Sequence, residues 1–158
     1  MEARLNDGDA QLLSVDGAGA HPGKHHKILV LVTASPKTAM VLRRAKRVSD
    51  FLGAECFAVT VQPSGDLSGL PEADREALDR HLNFARNLHI ETRILEGDDV
   101  AAALVEFGRR NEVTQIFLTR PDGKPWLPGL SRDPVQRVIR GATDLLIVIV
   151  SDREPSAH

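Results

Sequence analysis

Cysteine is almost missing from this chain: one residue, Cys56, in 158. A single cysteine excludes an intrachain disulfide and any cysteine-based zinc cage, which suits a reducing cytoplasm. Cys56 lies in an apolar run, so burial as a small hydrophobe is expected there rather than thiol chemistry. An excess of either charge is missing too. Twenty Lys and Arg against 22 Asp and Glu leave a formal net charge of −2, which gives no general drive toward nucleic acid or an acidic membrane. No segment approaches the roughly eighteen uninterrupted apolar residues of a membrane span, and the N-terminus lacks the apolar block of a secretory signal. Three glycine motifs are also absent: the G-x-x-x-x-G-K-[ST] phosphate loop, G-x-G-x-x-G after the first strand, and the G-x-S-x-G nucleophile elbow. Their absence sets aside phosphate-loop NTPases, dinucleotide-dependent enzymes and serine hydrolases. No cluster of residues reads as catalytic, and the chain is not expected to be an enzyme.

What is present is one domain's worth of alternating strand and helix patterns, 42% hydrophobic and 27% charged. Residues 1–26 read as a disordered polar leader, too poor in apolar area to fold alone. Within it His21, His25 and His26 have no fixed geometry for a metal. Residues 27–151 form the domain, and 152–158 a polar tail. If the chain is a fragment, the leader would be an inter-domain linker.

Ile28–Thr33 (ILVLVT) is a continuous apolar run, the mark of a strand covered on both faces. Ser35-Pro36 offers an N-cap and a proline at the first helical position. Val41, Ala45, Val48 and Leu52 form the buried stripe of the helix that follows. Arg43, Arg44, Lys46 and Arg47 lie mostly off the stripe, as a solvated surface, and Gly53 suits the exit. Ala54–Val61 is a second strand. Pro71 opens a second helix with Leu78, Leu82, Ala85 and Leu88 inward. Its charges and His81 and His89 are read as surface. Ile90–Leu95 is a third strand, and Asp98 caps a third helix with Val100, Leu104 and Phe107 on one side. Val113–Thr119 is strand four. Asp133-Pro134 starts a short helix that ends at Gly141, and Leu145–Val150 (LLIVIV) is the last strand. This alternation implies right-handed crossovers and a single doubly wound α/β domain: a five-stranded parallel sheet with helices on both faces.

In such a sheet, ligands bind outside the carboxyl ends of the strands. Thr33 and Ser35 fall at the end of the first strand, Thr60 near the end of the second, and Thr119 at the end of the fourth. Arg120, Lys124 and Arg132 bring positive charge to the same rim. Small hydroxyls with a few cations suit a base, a ribose and phosphates. The same residues also suit helix caps and solvated loops, and spacing alone leaves both readings open.

The residues resemble a known family. ILVLVTASP, followed by the order of elements above, resembles the universal stress protein family. LPEADREALDRHLNFA, EGDDVAAALVEFGRRNEVTQIFLTR, Trp126 and VQRVIR resemble more narrowly the stress-protein-like domain of Kdp-type potassium-sensing histidine kinases. That resemblance spans roughly Lys27 to Ser151. It implies the strand order 3-2-1-4-5, a regulatory or stress-response domain, an adenine-nucleotide pocket and a homodimer paired through Leu145–Val150. The ligands it suggests are ATP, AMP and cyclic di-AMP.

The chain departs from the family's ATP-binding pattern. Thr33 stands where an Asp commonly contacts adenine. The G-x-x-G pair falls on Thr119 and Asp122, and the following Gly-Ser pair on Arg132-Asp133 or, with a shifted alignment, on Gly129 with Leu130 or Ser131. An Asp133 N-cap would occupy the donors a phosphate needs and repel it, which argues against conventional ATP binding. For cyclic di-AMP, Thr33-Ala34-Ser35 keeps a hydroxyl pair, but Cys56 and Thr60 stand at the aromatic positions of strand two, with Phe57 nearby. Two other readings stay open: a ligand-free interaction or dimerisation module, with Trp126 as an anchor, and, ranked last, slow nucleotide hydrolysis.

Overall fold

Five parallel strands and four helices alternate along the chain in a computed structural model that describes residues 25–119, 134–141 and 144–150. The strands are β1 (Lys27–Leu31), β2 (Glu55–Gln62), β3 (Glu91–Glu96), β4 (Gln115–Thr119) and β5 (Leu146–Val150). The helices are α1 (Thr38–Leu52), α2 (Glu72–Asn87), α3 (Val100–Arg110) and α4 (Pro134–Gly141). The sheet order is β3-β2-β1-β4-β5, as the family resemblance implies. Strand β1 lies at the centre, with Val30 opposite Ala58 of β2 and Phe117 of β4.

Strand alternation divides the apolar residues into two cores. Leu29, Leu31, Phe57, Val59, Ile116 and Leu118 face α3 and α4, meeting Leu104, Val105, Phe107 and Val138. Phe57 and Phe107 meet edge to face, with centroids 5.5 Å apart. Ile28, Val30, Val32, Ala58 and Phe117 face α1 and α2, meeting Val41, Leu42, Ala45, Leu78, Leu82 and Ala85. Because β1 is covered on both sides, Ile28, Leu29 and Val30 are fully buried. A continuous apolar run is the sequence such a strand requires.

Local chemistry differs from expectation at two helix starts. Helix α1 begins at Thr38, with Lys37 rather than Ser35 at the N-cap. Ser35 is drawn instead into a turn: its carbonyl accepts from the Thr38 N–H (3.1 Å) and its hydroxyl from the Lys37 N–H (3.2 Å). Helix α3 is capped by Asp99, not Asp98; the Asp99 carboxylate accepts from the Ala102 N–H at 3.2 Å. Asp99 also pairs with Arg137 of α4, which ties the two helix starts together. Gly53 closes α1 with φ +65°, the left-handed exit its sequence position suggests.

The charged side of α1 is mostly solvated, as expected, with two attachments. Arg43 lies over the Phe84 ring at 5.5 Å, and Lys46 pairs with Asp50 at 3.1 Å. Cys56 is half-buried, and burial, with opposing influences from Lys46 and Asp50, pushes its thiol up to about 12. It stays protonated at neutral pH and packs as a hydrophobe. No helix among the described residues is long and apolar enough to cross a membrane.

Candidate functional site at the carboxyl end of the sheet

Beyond Leu31 the central strand keeps one more ladder bond, Val32 N–H to the Val59 carbonyl at 2.7 Å, and then leaves the sheet. The Thr33 carbonyl accepts from the Thr38 hydroxyl at 3.1 Å and meets His81 Nδ1 at 3.0 Å. A carbonyl only accepts, so His81 carries a proton on Nδ1. With the Thr38 proton on that carbonyl, the 3.1 Å contact between the Thr33 and Thr38 hydroxyls is donated by Thr33. The Thr33 oxygen accepts in turn from the Ser35 N–H at 3.2 Å. The turn from Thr33 to Thr38 is therefore a closed set of short-range bonds, fastened to α2 by His81.

These bonds separate two hydroxyls that look equivalent in sequence. The Thr33 proton is committed within the turn. The half-buried Ser35 hydroxyl accepts from Lys37, and its proton meets no acceptor among the described residues. Ser35 is thus the better-placed donor to an incoming group.

A second layer lies beneath. Counting two residues on from the row Ala58, Val30 and Phe117 places Thr60 and Thr119 on either side of Val32, on the α1/α2 side. All three are buried. Gln62 follows Thr60 on the same side, and its Nε2 donates to the Thr60 hydroxyl at 3.2 Å. The Gln62 backbone carbonyl accepts from both Gly65 and Gly97 N–H groups at 3.1 Å, which fixes the end of β2. The Thr119 hydroxyl has no hydrogen-bond partner among the described residues. In native proteins nearly all buried polar side chains are paired, so this layer stands out.

His81 corrects an expectation. It was read as a surface residue of a charged helix, yet it is 7% exposed and bonded to the end of β1. The signal was present: His81 lies three residues after Leu78 and one before Leu82, on the inward stripe. Burial, the largest influence, lowers its pKa; the bond to the Thr33 carbonyl works the other way, and the charge of Arg80 adds to the lowering. Gln62 and Thr38 also belong to this end of the sheet and were not singled out from sequence. Thr38 falls on the stripe of Val41, Leu42 and Ala45, whereas Gln62, last in its strand, gave little to notice. His89 is exposed, as expected. Arg120, Lys124, Trp126, Arg132 and Asp133 lie outside the described residues.

A groove of about 320 Å³ between α3 and α4 shares no residue with this rim. Its charged groups already have partners: Arg137 with Asp99, Arg109 with the Gly141 carbonyl (3.1 Å), and Glu106 with Arg110 (2.7 Å). Among the described residues no three His, Cys, Asp or Glu side chains group as a metal site.

The same arrangement of elements is found in universal stress proteins. A universal stress protein in complex with cAMP matches with a TM-score of 0.60 at 18% identity, covering 80% of this chain and 97% of that one. The universal stress protein from Archaeoglobus fulgidus in complex with dAMP matches with a TM-score of 0.57 at 16% identity, covering 80% and 97%. In sequence, the sensor protein KdpD of Escherichia coli (strain K12) is 31% identical over 145 residues, 87% of this chain. The chain has the universal stress protein fold and is related to Kdp sensor proteins. It spans only 16% of the length of that KdpD. No family model matches the chain.

Proposed function

We propose that this chain is a non-enzymatic regulatory domain of the universal stress type that binds a small adenine-containing ligand where β1 and β4 part. One observation carries the reading: the uncommitted Ser35 proton, just past β1, and the buried hydroxyls of Thr60 and Thr119 belong to the same carboxyl end of the central strands. In parallel sheets that position is the usual ligand crevice. Proteins of the same fold in complex with cAMP and dAMP support an adenine ligand. Ser35 and Thr33 would meet the base or ribose, and Arg120, Lys124 and Arg132 the phosphates. The missing glycine cradle argues against ATP, and the lack of stacking rings at Cys56 and Thr60 argues against cyclic di-AMP, which leaves AMP favoured. Titration with AMP, ATP and cyclic di-AMP by calorimetry tests the reading, with melting temperature as a second readout. Binding of at least one, weakened by Ser35→Ala, is the expected result. No heat and no thermal shift at millimolar ligand would sink it.

A second reading rests on a different observation. Among the described strands β5 is an edge of the sheet, and its Leu146 is 57% exposed, with Ile139 of α4 45% exposed. An apolar edge of this kind suits pairing with a second copy through Leu145–Val150. This module would need no ligand and would act in the cytoplasm by assembly. Sedimentation velocity separates the two: a strict monomer at high concentration removes the dimer.

A further inference from the structure

We propose that Gln62 is the specificity-determining residue of the rim, reading the hydrogen-bonding edge of an adenine base; the inference rests on the nucleotide reading above. Gln62 is 8% exposed, yet its amide is only half used. One Nε2–H goes to the Thr60 hydroxyl. The second N–H and Oε1 have no partner among the described residues. A buried amide left in that state costs stability unless something completes it.

The position suits a base. Gln62 lies one strand from the point where β1 leaves the sheet, two residues beyond the level of Val32, on the side where His81 and Thr38 hold the Thr33 carbonyl. Its carbonyl, held by Gly65 and Gly97, keeps the root of the side chain in place. A base seated beside Ser35 would extend over β1 toward β2, leaving its phosphates on the β4 side. The amide keeps one donor and one acceptor, which share one edge when Thr60 takes the Nε2 proton that faces away from Oε1. Adenine presents the complement, with its 6-amino group donating to Oε1 and a neighbouring ring nitrogen accepting from Nε2–H.

The test compares AMP with purine riboside 5′-monophosphate, which differs only in lacking the 6-amino group. Calorimetry on the whole chain should show AMP bound at least about tenfold more tightly by the wild type. Gln62→Leu should weaken AMP and bring the two ligands level, with Gln62→Met standing in if the leucine variant does not fold. A merely structural Gln62 would weaken both ligands alike and preserve their ratio. A wild-type ratio near one, as expected if an ordered water completes the amide, overturns the assignment of Gln62 but not nucleotide binding. A ratio that survives Gln62→Leu also overturns it. Failure of both nucleotides to bind overturns the assignment, and failure of ATP and cyclic di-AMP as well removes the function on which it rests.

Discussion

The two sides of this sheet end differently. On the α3/α4 side the core is apolar to its limit, and its helix starts are closed by Asp99 and Arg137, which satisfy one another. On the α1/α2 side, six polar residues are buried among the described residues: Thr38, Ser49, Thr60, Gln62, His81 and Thr119. All but Ser49 gather at the carboxyl end of the strands. Ser49 is settled, its hydroxyl donating to the Lys46 carbonyl at 2.9 Å. Burying polar groups works against stability unless each is paired. Among the described residues, unused donors and acceptors thus gather on the α1/α2 side, where the central strand leaves the sheet. The contrast locates the candidate site more firmly than any single residue does.

The largest effect should come from the apolar side. Ile116 is fully buried there. Ile116→Ala should cost about 2–5 kcal/mol, because the removed side chain leaves a cavity that the sheet fills only in part. Chemical denaturation measures it. A loss below about 1 kcal/mol would mean that this side is looser than its packing implies, and the comparison would weaken.

Next comes the closure of that side. Asp99→Ala removes both the cap on Ala102 and the partner of Arg137, for an expected loss of about 1–2 kcal/mol. Partial burial raises the Asp99 pKa, but the bonds from Ala102 and Arg137 and the Arg137 charge more than offset this, leaving it below the usual carboxylate value. The stabilisation is therefore complete above the ordinary Asp pKa and disappears as pH falls through the lower folded value. Denaturation of wild type and Asp99→Ala should converge in acid, and a constant difference across pH would contradict this account.

How much of this was legible in the sequence follows from what periodicity reports. Strand and helix order could be read because parallel, doubly covered strands must be apolar runs, as in residues 28–33 and 145–150. Crossover handedness limits the sheet orders, and the order itself came with the family resemblance. The caps slipped by one or two residues at Lys37 and Asp99 because neighbouring positions offer similar chemistry: Asp98 and Asp99 are adjacent, and Ser35 can serve a turn as well as a cap. At the site, Thr33, Ser35, Thr60 and Thr119 were picked from strand ends. Their inequality, with the Thr33 proton committed and the Ser35 proton not, depends on partners brought together by folding. His81 bonds to a residue 48 positions away. That distance hid its role, although its place on the Leu78–Leu82 stripe was visible.

On the polar side, His81 gives the clearest pH signature. His81→Leu should cost about 1 kcal/mol at pH 7.5 through loss of the bond to the Thr33 carbonyl, which keeps its second donor, Thr38. The His81 pKa is lowered on folding, so the unfolded chain binds the extra proton more readily. Stability from this residue is therefore complete above the unfolded histidine value of about 6.5 and declines as pH falls below it. The gap between wild type and His81→Leu should narrow as pH falls below about 6.5. A widening gap would mean that the imidazolium is the stabilising form, contrary to its burial.

The smallest effect is the most pointed. Thr119 is 6% exposed, and its hydroxyl meets no partner among the described residues. Thr119→Val keeps the branched shape and removes only the unpaired group. An unsatisfied buried hydroxyl costs free energy, and replacing it with an apolar group of the same shape is neutral or stabilising. Without ligand the variant should melt at the same temperature or slightly higher, a gain below about 1 kcal/mol. Thr60→Val provides the contrast, since it strips the Gln62 amide of its acceptor and should destabilise. A Thr119 kept for binding predicts opposite signs in two assays of one variant: unchanged or higher stability alone, weaker affinity for AMP. Destabilisation by Thr119→Val in the absence of ligand would show that the hydroxyl already has a partner in the resting protein. The carboxyl end of the α1/α2 side would then be as closed as the other.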